Sequence, residues 1–554
     1  MPHHVPKKLL LLLLAAGCGP AWALTPADGA PQLSLYIPGS QANDPNFGFL
    51  IGGVVPANAL CLDAANTSGA GTTTHVYFQN YTGTPASATN NDYSAIYCNT
   101  DDTRIPGLTG GTGAHHTTRL WISRRRLGAS FIGLDAVANG TALTYLADPV
   151  TASCTAVNGT FTSAGVAYGF NYSCTVVTPG IHATAATSDI TPDVFHGSDN
   201  VTPGYSDIDA TTLDNRFAIA GHIIGIPVTL KLRNALQYAG IVSGQITNTL
   251  DQTPNVACTV GSEDRGCVPS LSKEQLVSLF TGTTYDWGTF RVKVGGVEKT
   301  LPQVVADGVT AGISGLSNPL DTTVHICRRE NGAGQQVALL ANVLQYPCLG
   351  SSAPAIAQPG FGPADVGYAT SLGAVDNCLK DYNDGTNGWF GTSNSPPYPN
   401  PPATGVPHGN QWAISIQTTE RNASRGTNYR FIKINGALPT GEQVFLGHYP
   451  LVGEYGISWK TGSVAPAGSN IEKALNALVA YSQLPAVVAS RNTNISKHSW
   501  GQAGYVALSA NGYAPNATWN ETYPVTPYTR AASGTPDACT IPIINPNYSS
   551  AELR

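Results

Sequence analysis

At the centre of the chain stands Cys327-Arg328-Arg329-Glu330-Asn331-Gly332-Ala333-Gly334-Gln335-Gln336. The β-prone residues 323–326 precede it and the apolar run 337–344 follows with helical spacing, so the pattern predicts a strand, a glycine loop and a helix. Such a loop directs unpaired backbone N–H groups and the positive end of a helix dipole toward one small volume. With two arginines immediately before it, the stretch predicts an anion pocket; an ordinary strand-to-helix turn is the alternative.

The N-terminus has the pattern of a secretory leader. Lys7 and Lys8 precede a leucine run at 9–14, and Ala21-Trp22-Ala23 is typical of a cleavage site. Cleavage after Ala23 predicts a periplasmic or secreted protein, with lipidation of Cys18 as the alternative. No later stretch approaches the ~18 consecutive apolar residues of a membrane span, so we expect no transmembrane span in the mature chain.

The cysteine count indicates disulfides. Of the 11 cysteines, ten remain after the leader, an even number that suits an oxidising compartment. No CxxC or clustered His/Cys spacing suggests zinc, and the adjacent His115 and His116 have no third ligand nearby, so neither metal nor cofactor is expected. Spacing favours three local bridges and leaves Cys327, Cys348, Cys378 and Cys539 unassigned: Cys61 with Cys98, Cys154 with Cys174, and Cys258 with Cys267.

Composition excludes some partners and sets the size of the protein. A net charge of −6 with 11% charged residues argues against a nucleic-acid partner, which needs a basic face. The 42% of hydrophobic residues can bury a large core, and 60 glycines with 39 prolines predict long loops. A length of 554 residues favours two lobes or domains.

Periodicity predicts alternating strands and helices, hence an α/β fold. A hairpin insertion closed by Cys154 and Cys174 is expected within 140–180, a long loop within 380–410 and an irregular tail at 509–554. Ser270 is predicted as the N-cap of a helix at 274–280. A second helix is predicted at Asn470–Ser482, and strands at 33–37, 119–122, 223–232, 411–416, 429–434 and 444–451.

Seven segments, in order, resemble the phosphate-type periplasmic solute-binding proteins, a two-lobed family that delivers anions to ABC importers. The resemblance spans 33–508 and rests on residues 35–42, the loop Gly128-Ala129-Ser130, residues 186–195, 276–287, 329–335, 413–420 and Gly504-Tyr505-Val506-Ala507-Leu508. It implies a type II periplasmic-binding-protein fold with long disulfide-tied insertions. Lobe 1 would comprise 24–220 and 440–554, and lobe 2 would comprise 221–439.

The resemblance also implies a ligand pocket for a tetrahedral oxyanion. Arg329 and Asp189 stand at its charged positions, and the remaining ligand-binding candidates are Ser40, Gln41, Ser130, Ser188, Gly332, Ala333, Gly334 and Gln335. Three of these depart from the family, with alanine for serine at 333 and glutamine for threonine at 335 and 41. Each lost hydroxyl removes a charge-assisted hydrogen bond of about 1.5–3 kcal/mol, which lowers the expected affinity for phosphate. Because glutamine is longer and carries both a donor and an acceptor, we expect the pocket to be narrowed, or reshaped for another polar ligand.

Each candidate has a structural alternative. Asp189 could instead cap the segment before Pro192, Arg329 could pair with Glu330 or a surface carboxylate, and Arg124-Arg125-Arg126 could form a solvated patch.

We expect non-catalytic capture of a small anion, phosphate or a relative, possibly for an ABC importer. The second hypothesis is a cell-surface or secreted structural protein that lost phosphate binding. An enzyme comes third, because no G-x-S-x-G elbow or H-E-x-x-H helix is present.

Overall fold

A computed structural model describes residues 24–40, 59–62, 75–79, 93–163, 166–246, 257–394, 396–495, 497–531 and 535–548. The predicted leader, Cys18 and Gln41 lie outside these ranges. None of the helices within them is long and apolar enough to cross a membrane.

Strands within these ranges are, in chain order, β1 Leu33–Pro38, β2 His75–Gln79, β3 Tyr93–Thr100, β4 Thr118–Arg125, β5 Leu143–Leu146, β6 Cys154–Ser163, β7 Val166–Cys174, β8 Val177–Ile181, β9 Ala186–Ser188, β10 Asn215–Thr229, β11 Ser270–Leu271, β12 Arg291–Val294, β13 Val297–Thr300, β14 His325–Arg329, β15 Asp365–Ala369, β16 Ala413–Ser415, β17 Gln417–Thr418, β18 Tyr429–Ile434, β19 Val452–Trp459, β20 Tyr505–Leu508, β21 Val525–Thr526, β22 Tyr528–Thr529 and β23 Ile543–Ile544.

The α-helices of the same residues are α1 Ala129–Ala138, α2 Leu230–Ser243, α3 Lys273–Phe280, α4 Leu301–Thr310, α5 Gly334–Leu339, α6 Leu372–Asp384, α7 Gly441–Phe445, α8 Asn470–Ser482 and α9 Pro485–Asn494. A π-helical turn, Leu340–Leu344, continues α5, and 3₁₀ turns occupy Pro26–Asp28, Pro192–Val194, Ala210–Thr212, Arg265–Cys267, Trp287–Thr289, Gly350–Ser352 and Ser509–Asn511.

Strand β10 joins the two halves of the larger sheet. Its first part pairs antiparallel with β19, from Asn215 opposite Trp459 to Ile223 opposite Val452. Its last part pairs with β17 and, from Ile226 to Thr229, with β18. The change of partner falls at Ile223 and Ile224, and the largest hydrophobic cluster continues on both sides of it. One 15-residue strand therefore links both sets of strands.

Parallel pairing brings two strand ends to one edge of this sheet. β14 pairs parallel with β15 in a register that places Arg329 beside Ala369. Each strand leads into a helix, α5 after β14 and α6 after β15. Because carboxyl ends of parallel strands share an edge, the loop after Arg329 and the start of α6 are neighbours.

A six-stranded sheet has the order β1-β4-β3-β2-β7-β6. β1 pairs parallel with β4, and a bridge between Gly39 and Thr187 connects its end to β9. The hairpin of β6 and β7 lies within the insertion predicted at 140–180, and its ends carry the predicted disulfide.

Five disulfides tie these elements together. All three predicted local bridges are formed, and the four cysteines without an assignment pair as Cys327 with Cys378 and Cys348 with Cys539. The Cys327–Cys378 bridge joins β14 to α6, the two elements that meet at the shared edge.

Four predicted elements need correction. The helix predicted at 274–280 begins at Lys273, because Ser272 rather than Ser270 caps it and accepts the Gln275 N–H at 3.1 Å. Residues 444–451 are not a strand: Thr440 caps helix α7, and the strand starts only at Val452. The β-prone run at 223–232 turns into helix α2 after Thr229. The loop predicted from 380 starts after Asp384, where α6 ends.

Candidate functional site

Asp189 is the centre of a buried cluster formed by predicted site residues. Its Oδ1 accepts the hydroxyl of Ser40, and its Oδ2 accepts Gln335 Nε2 at 2.7 Å. The Ser130 hydroxyl lies 3.5 Å from Oδ2 and accepts the Asp189 backbone N–H at 3.3 Å. All four side chains are buried. The alternative role of Asp189 as a cap is wrong, because Thr191 is the N-cap of the turn at Pro192–Val194.

Arg329 reaches the same cluster through Gln335. Its Nη1 donates to Gln335 Oε1 at 3.3 Å, and its Nη2 donates to Glu330 Oε1 at 3.2 Å. The pairing with Glu330 that we considered as an alternative therefore exists beside the contact with the cluster. Gln335 bridges Arg329 to Asp189 with both ends of its carboxamide.

The position of Ser40 depends on Arg124. Arg124 Nη1 donates to the Ile37 carbonyl at 2.8 Å, and Nη2 donates to the Ser40 carbonyl at 3.1 Å. The arginines at 124–126 are all buried, so the alternative of a solvated patch is wrong. Through Arg124, strand β4 holds the end of β1 in place, next to which the Ser40 hydroxyl donates to Asp189.

The glycine loop is pressed against the cluster. A Cβ on Gly334 would lie 2.4 Å from Ser130 Oγ and 2.6 Å from Asp189 Oδ2. Gly332 has φ +80°, and its carbonyl accepts the Phe131 N–H at 3.1 Å. A side chain at either position would push the loop away from α1 and Asp189.

Three predicted residues serve the surroundings rather than the cavity. The Ser188 hydroxyl donates to the Ile190 carbonyl at 2.6 Å, a local turn contact. Ala333 is the buried N-cap of α5, and Gly332 packs on Phe131. Gln41 lies outside the described residues.

A cavity of about 610 Å³ opens in front of Arg329, Asp189 and Gln335. It falls within the range of about 300–1,000 Å³ that is usual for small-molecule sites. Part of the remaining wall comes from stretches that the sequence analysis quoted without naming these residues as ligands: Arg126, Gly128, Ala129, Glu330 and Asn331. Sequence reasoning missed the other lining residues, which lie far apart in the chain: Leu127, Thr202, Thr370, Ser371, Leu372, Gly373, Pro396, Pro397, Tyr398 and Arg421.

The electrostatics of the cavity favour an anion. Burial raises the pKa of Asp189, opposed by the charge of His222, the hydrogen bond from Ser40 and the charge of Arg329. Burial also raises the pKa of Glu330, opposed by Arg329. Both shifts favour the neutral form of the carboxyl group. The N-termini of α1 and α6, at Gly128 and Ser371, add their positive dipole ends to the lining.

A buried ion pair lies behind the cluster. His222 Nε2 of β10 is 3.0 Å from Glu420 Oε1, and neither side chain is exposed. Burial lowers the pKa of His222, but the charge and hydrogen bond of Glu420 outweigh it and the pKa is raised. The charge of Asp189 acts in the same direction. The site therefore rests on a second layer of charged groups at the strand that joins the two halves.

Among the residues that the structure describes, no group of three His, Cys, Asp or Glu side chains could hold a metal ion. His115 is exposed, with its Nδ1 3.1 Å from Asp102 Oδ1.

Comparison with known proteins gives structural neighbours only. No protein-family model matches the chain, and no curated protein does. Among solved structures, the chain is similar to a protein described as a phosphate ABC transporter substrate-binding protein, with bound phosphate, from Clostridium perfringens (TM-score 0.34, 11% identity, covering 83% of this chain and 97% of that one). It is also similar to PstS from Borrelia burgdorferi (TM-score 0.31, 10% identity, 85% and 99% covered). A third similar structure is an ABC-type phosphate transport receptor from Vibrio cholerae (TM-score 0.24, 13% identity, 54% and 73% covered).

The neighbours are phosphate-type solute-binding proteins. The sequence analysis named the same family as a resemblance, and the sequence identity to these neighbours is low. The mixed α/β architecture with its five disulfides fits a two-lobed binding-protein fold, as predicted. At these TM-scores the matches say nothing about the site, whose description rests on the contacts of this chain.

Proposed function

We propose that the protein is an extracytoplasmic solute-binding protein that captures a small, phosphate-like oxyanion between two lobes. The observation that carries the proposal is the convergence of Arg329, Asp189 and Ser40 on the lining of one cavity, with the buried Ser130 hydroxyl 3.5 Å from Asp189 Oδ2. Lobe 1 comprises residues 24–220 and 440–554, and lobe 2 comprises 221–439.

The chemistry of these groups matches a protonated oxyanion. Arg329 offers a planar set of donors to anionic oxygens, and Ser40, which also lines the cavity, offers a hydroxyl. The Asp189 carboxylate accepts a hydrogen bond from the remaining hydroxyl of a monohydrogen anion. Capture needs no bond to be made or broken, so the proposal is for binding and not for catalysis.

The proposal includes the cellular setting. Cleavage of the leader after Ala23 would release the chain to the periplasm or the outside, where its disulfides persist. The membrane subunits of an ABC importer are its proposed partner. Co-purification of the intact protein with membrane subunits from detergent-solubilised membranes tests this partnership, and its absence leaves the binding proposal untouched.

Calorimetric titration with phosphate, arsenate, sulfate and a phosphonate tests the binding proposal. We expect heat for at least one oxyanion and its loss in Arg329→Gln, which removes the positive charge but keeps a similar length. Arg291→Gln is the matched control, because Arg291 is exposed, pairs with Glu298 across the β12–β13 hairpin and does not line the cavity. Absence of heat for all four anions at protein concentrations suited to micromolar binding contradicts the proposal.

A second candidate is a secreted structural or interaction protein on the same fold. It is favoured by the Gln335 carboxamide, which satisfies Arg329 and Asp189 from within the chain. The same titration separates the two, because a structural protein shows no Arg329-dependent heat.

A further inference from the structure

The side-chain amide of Gln335 makes the same two hydrogen bonds that the proposed oxyanion would make. Its carbonyl oxygen accepts from Arg329 Nη1, and its amide nitrogen donates to Asp189 Oδ2. A monohydrogen oxyanion would present the same pair, an anionic oxygen to the arginine and a hydroxyl to the carboxyl. The orientation of the amide is chemically fixed, because the opposite one would turn its N–H groups toward the guanidinium.

The space around the Asp189 carboxyl is also filled by neighbouring groups of the protein. The Cα of Gly334 lies so close to Ser130 and Asp189 that even a methyl group would collide with both. Ser40 already donates to Asp189 Oδ1, while Gln335 takes Oδ2. An oxyanion that takes over the hydrogen bonds of Arg329 Nη1 and Asp189 Oδ2 must therefore displace the carboxamide of Gln335, which lines the same cavity.

We propose that Gln335 is a specificity-determining residue whose carboxamide occupies the oxyanion position and competes with inorganic phosphate for Arg329 and Asp189. This inference rests on the proposed function, since it assigns a competitor to that same site. Binding then requires a ligand that repeats the acceptor–donor pair of the amide and displaces it. The tightness of capture is set by this exchange of hydrogen bonds and not by the number of polar groups in the site.

Removal of the carboxamide tests the competition. Both hydrogen bonds of Gln335 involve charged or acidic groups, so freeing them should raise phosphate affinity in Gln335→Ala by about tenfold or more. The probe is inorganic phosphate, titrated calorimetrically into the full-length mature protein. Adding Arg329→Gln to Gln335→Ala should abolish the gain.

Gln336→Ala is the matched control. Gln336 is the next residue of the same helix, is buried and accepts the Arg329 backbone N–H at 3.1 Å, but it does not line the cavity. It therefore reports whether loosening the loop alone raises affinity. Thermal unfolding of each variant verifies that it is folded.

The outcomes separate this inference from the proposed function. Equal, Arg329-dependent phosphate affinity in wild type and Gln335→Ala overturns the competition and leaves oxyanion capture intact. A gain of similar size in Gln336→Ala also overturns it. No binding by any of the proteins overturns both.

Discussion

Replacement of Glu420 probes the charged layer that supports the site. Glu420 and His222 form a fully buried pair at 3.0 Å, and the His222 ring stacks on Tyr505 with centroids 4.8 Å apart. Loss of one partner of a buried ion pair costs about 3–5 kcal/mol, so Glu420→Ala should lower the free energy of unfolding by this amount. Glu420→Gln keeps an acceptor for His222 and should cost less, about 1–3 kcal/mol.

The loss should depend on pH in a defined direction. Glu420 raises the pKa of His222 above its ordinary 6.5, so the folded state holds this proton more tightly than the unfolded chain. That stability is fully present below the ordinary pKa and is lost as the pH rises through the raised one. His222 and other groups lower the pKa of Glu420, which stays ionised well below neutral pH. The gap between wild type and Glu420→Gln should therefore be larger at about pH 6 than at about pH 9.

Urea unfolding followed by tryptophan fluorescence, at both pH values and with disulfides intact, measures this gap. Glu521→Gln is the matched control, because Glu521 pairs with Lys497 at a half-exposed site and should cost no more than about 0.5 kcal/mol. A gap that stays constant or widens with rising pH would refute the reasoning, as would a Glu420→Ala variant as stable as the control.

Two further perturbations test the walls of the site. Gly334→Ala places a methyl group 2.4 Å from Ser130 Oγ and should lower the free energy of unfolding by about 1–3 kcal/mol, measured by thermal unfolding. Gly462→Ala is its control, because the new methyl group meets nothing within 4 Å. Equal melting temperatures of the two variants would contradict the close contact. Replacement of Cys327 and Cys378 together by serine opens a bridge between residues 51 apart and should cost about 2–4 kcal/mol in urea unfolding. If the double variant has the same free energy of unfolding as wild type, the bridge does not stabilise the contact between β14 and α6.

Elements with clear periodicity could be predicted, and elements decided by capping could not. Asn470–Ser482 and Tyr429–Ile434 have the predicted bounds, since each has an unambiguous apolar spacing. The run at 444–451 begins with three apolar residues, a pattern that predicts a strand, but the Thr440 hydroxyl accepts the Gln443 N–H at 3.2 Å and starts a helix instead. Short apolar runs carry too little periodicity to outweigh one capping contact.

The site divides in a similar way. Arg329 and Ser40 could be proposed from the sequence because each lies at the end of a β-prone run, in a segment that resembles the family's ligand loops. The bridge made by Gln335 depends on its side-chain rotamer, and the substitution at 335 indicated only that the pocket was altered. Tyr398 and Arg421 reach the cavity from loops whose paths depend on tertiary packing. No local pattern marks such residues.

A crystal structure of Gln335→Ala soaked with arsenate tests the central claim most directly, because the anomalous scattering of arsenic locates the anion without ambiguity. We predict one arsenic peak in the inner cavity, with oxygens in hydrogen-bonding reach of the Arg329 guanidinium and the Asp189 carboxyl. An arsenic peak elsewhere in the cavity, or none at saturating arsenate, would contradict it.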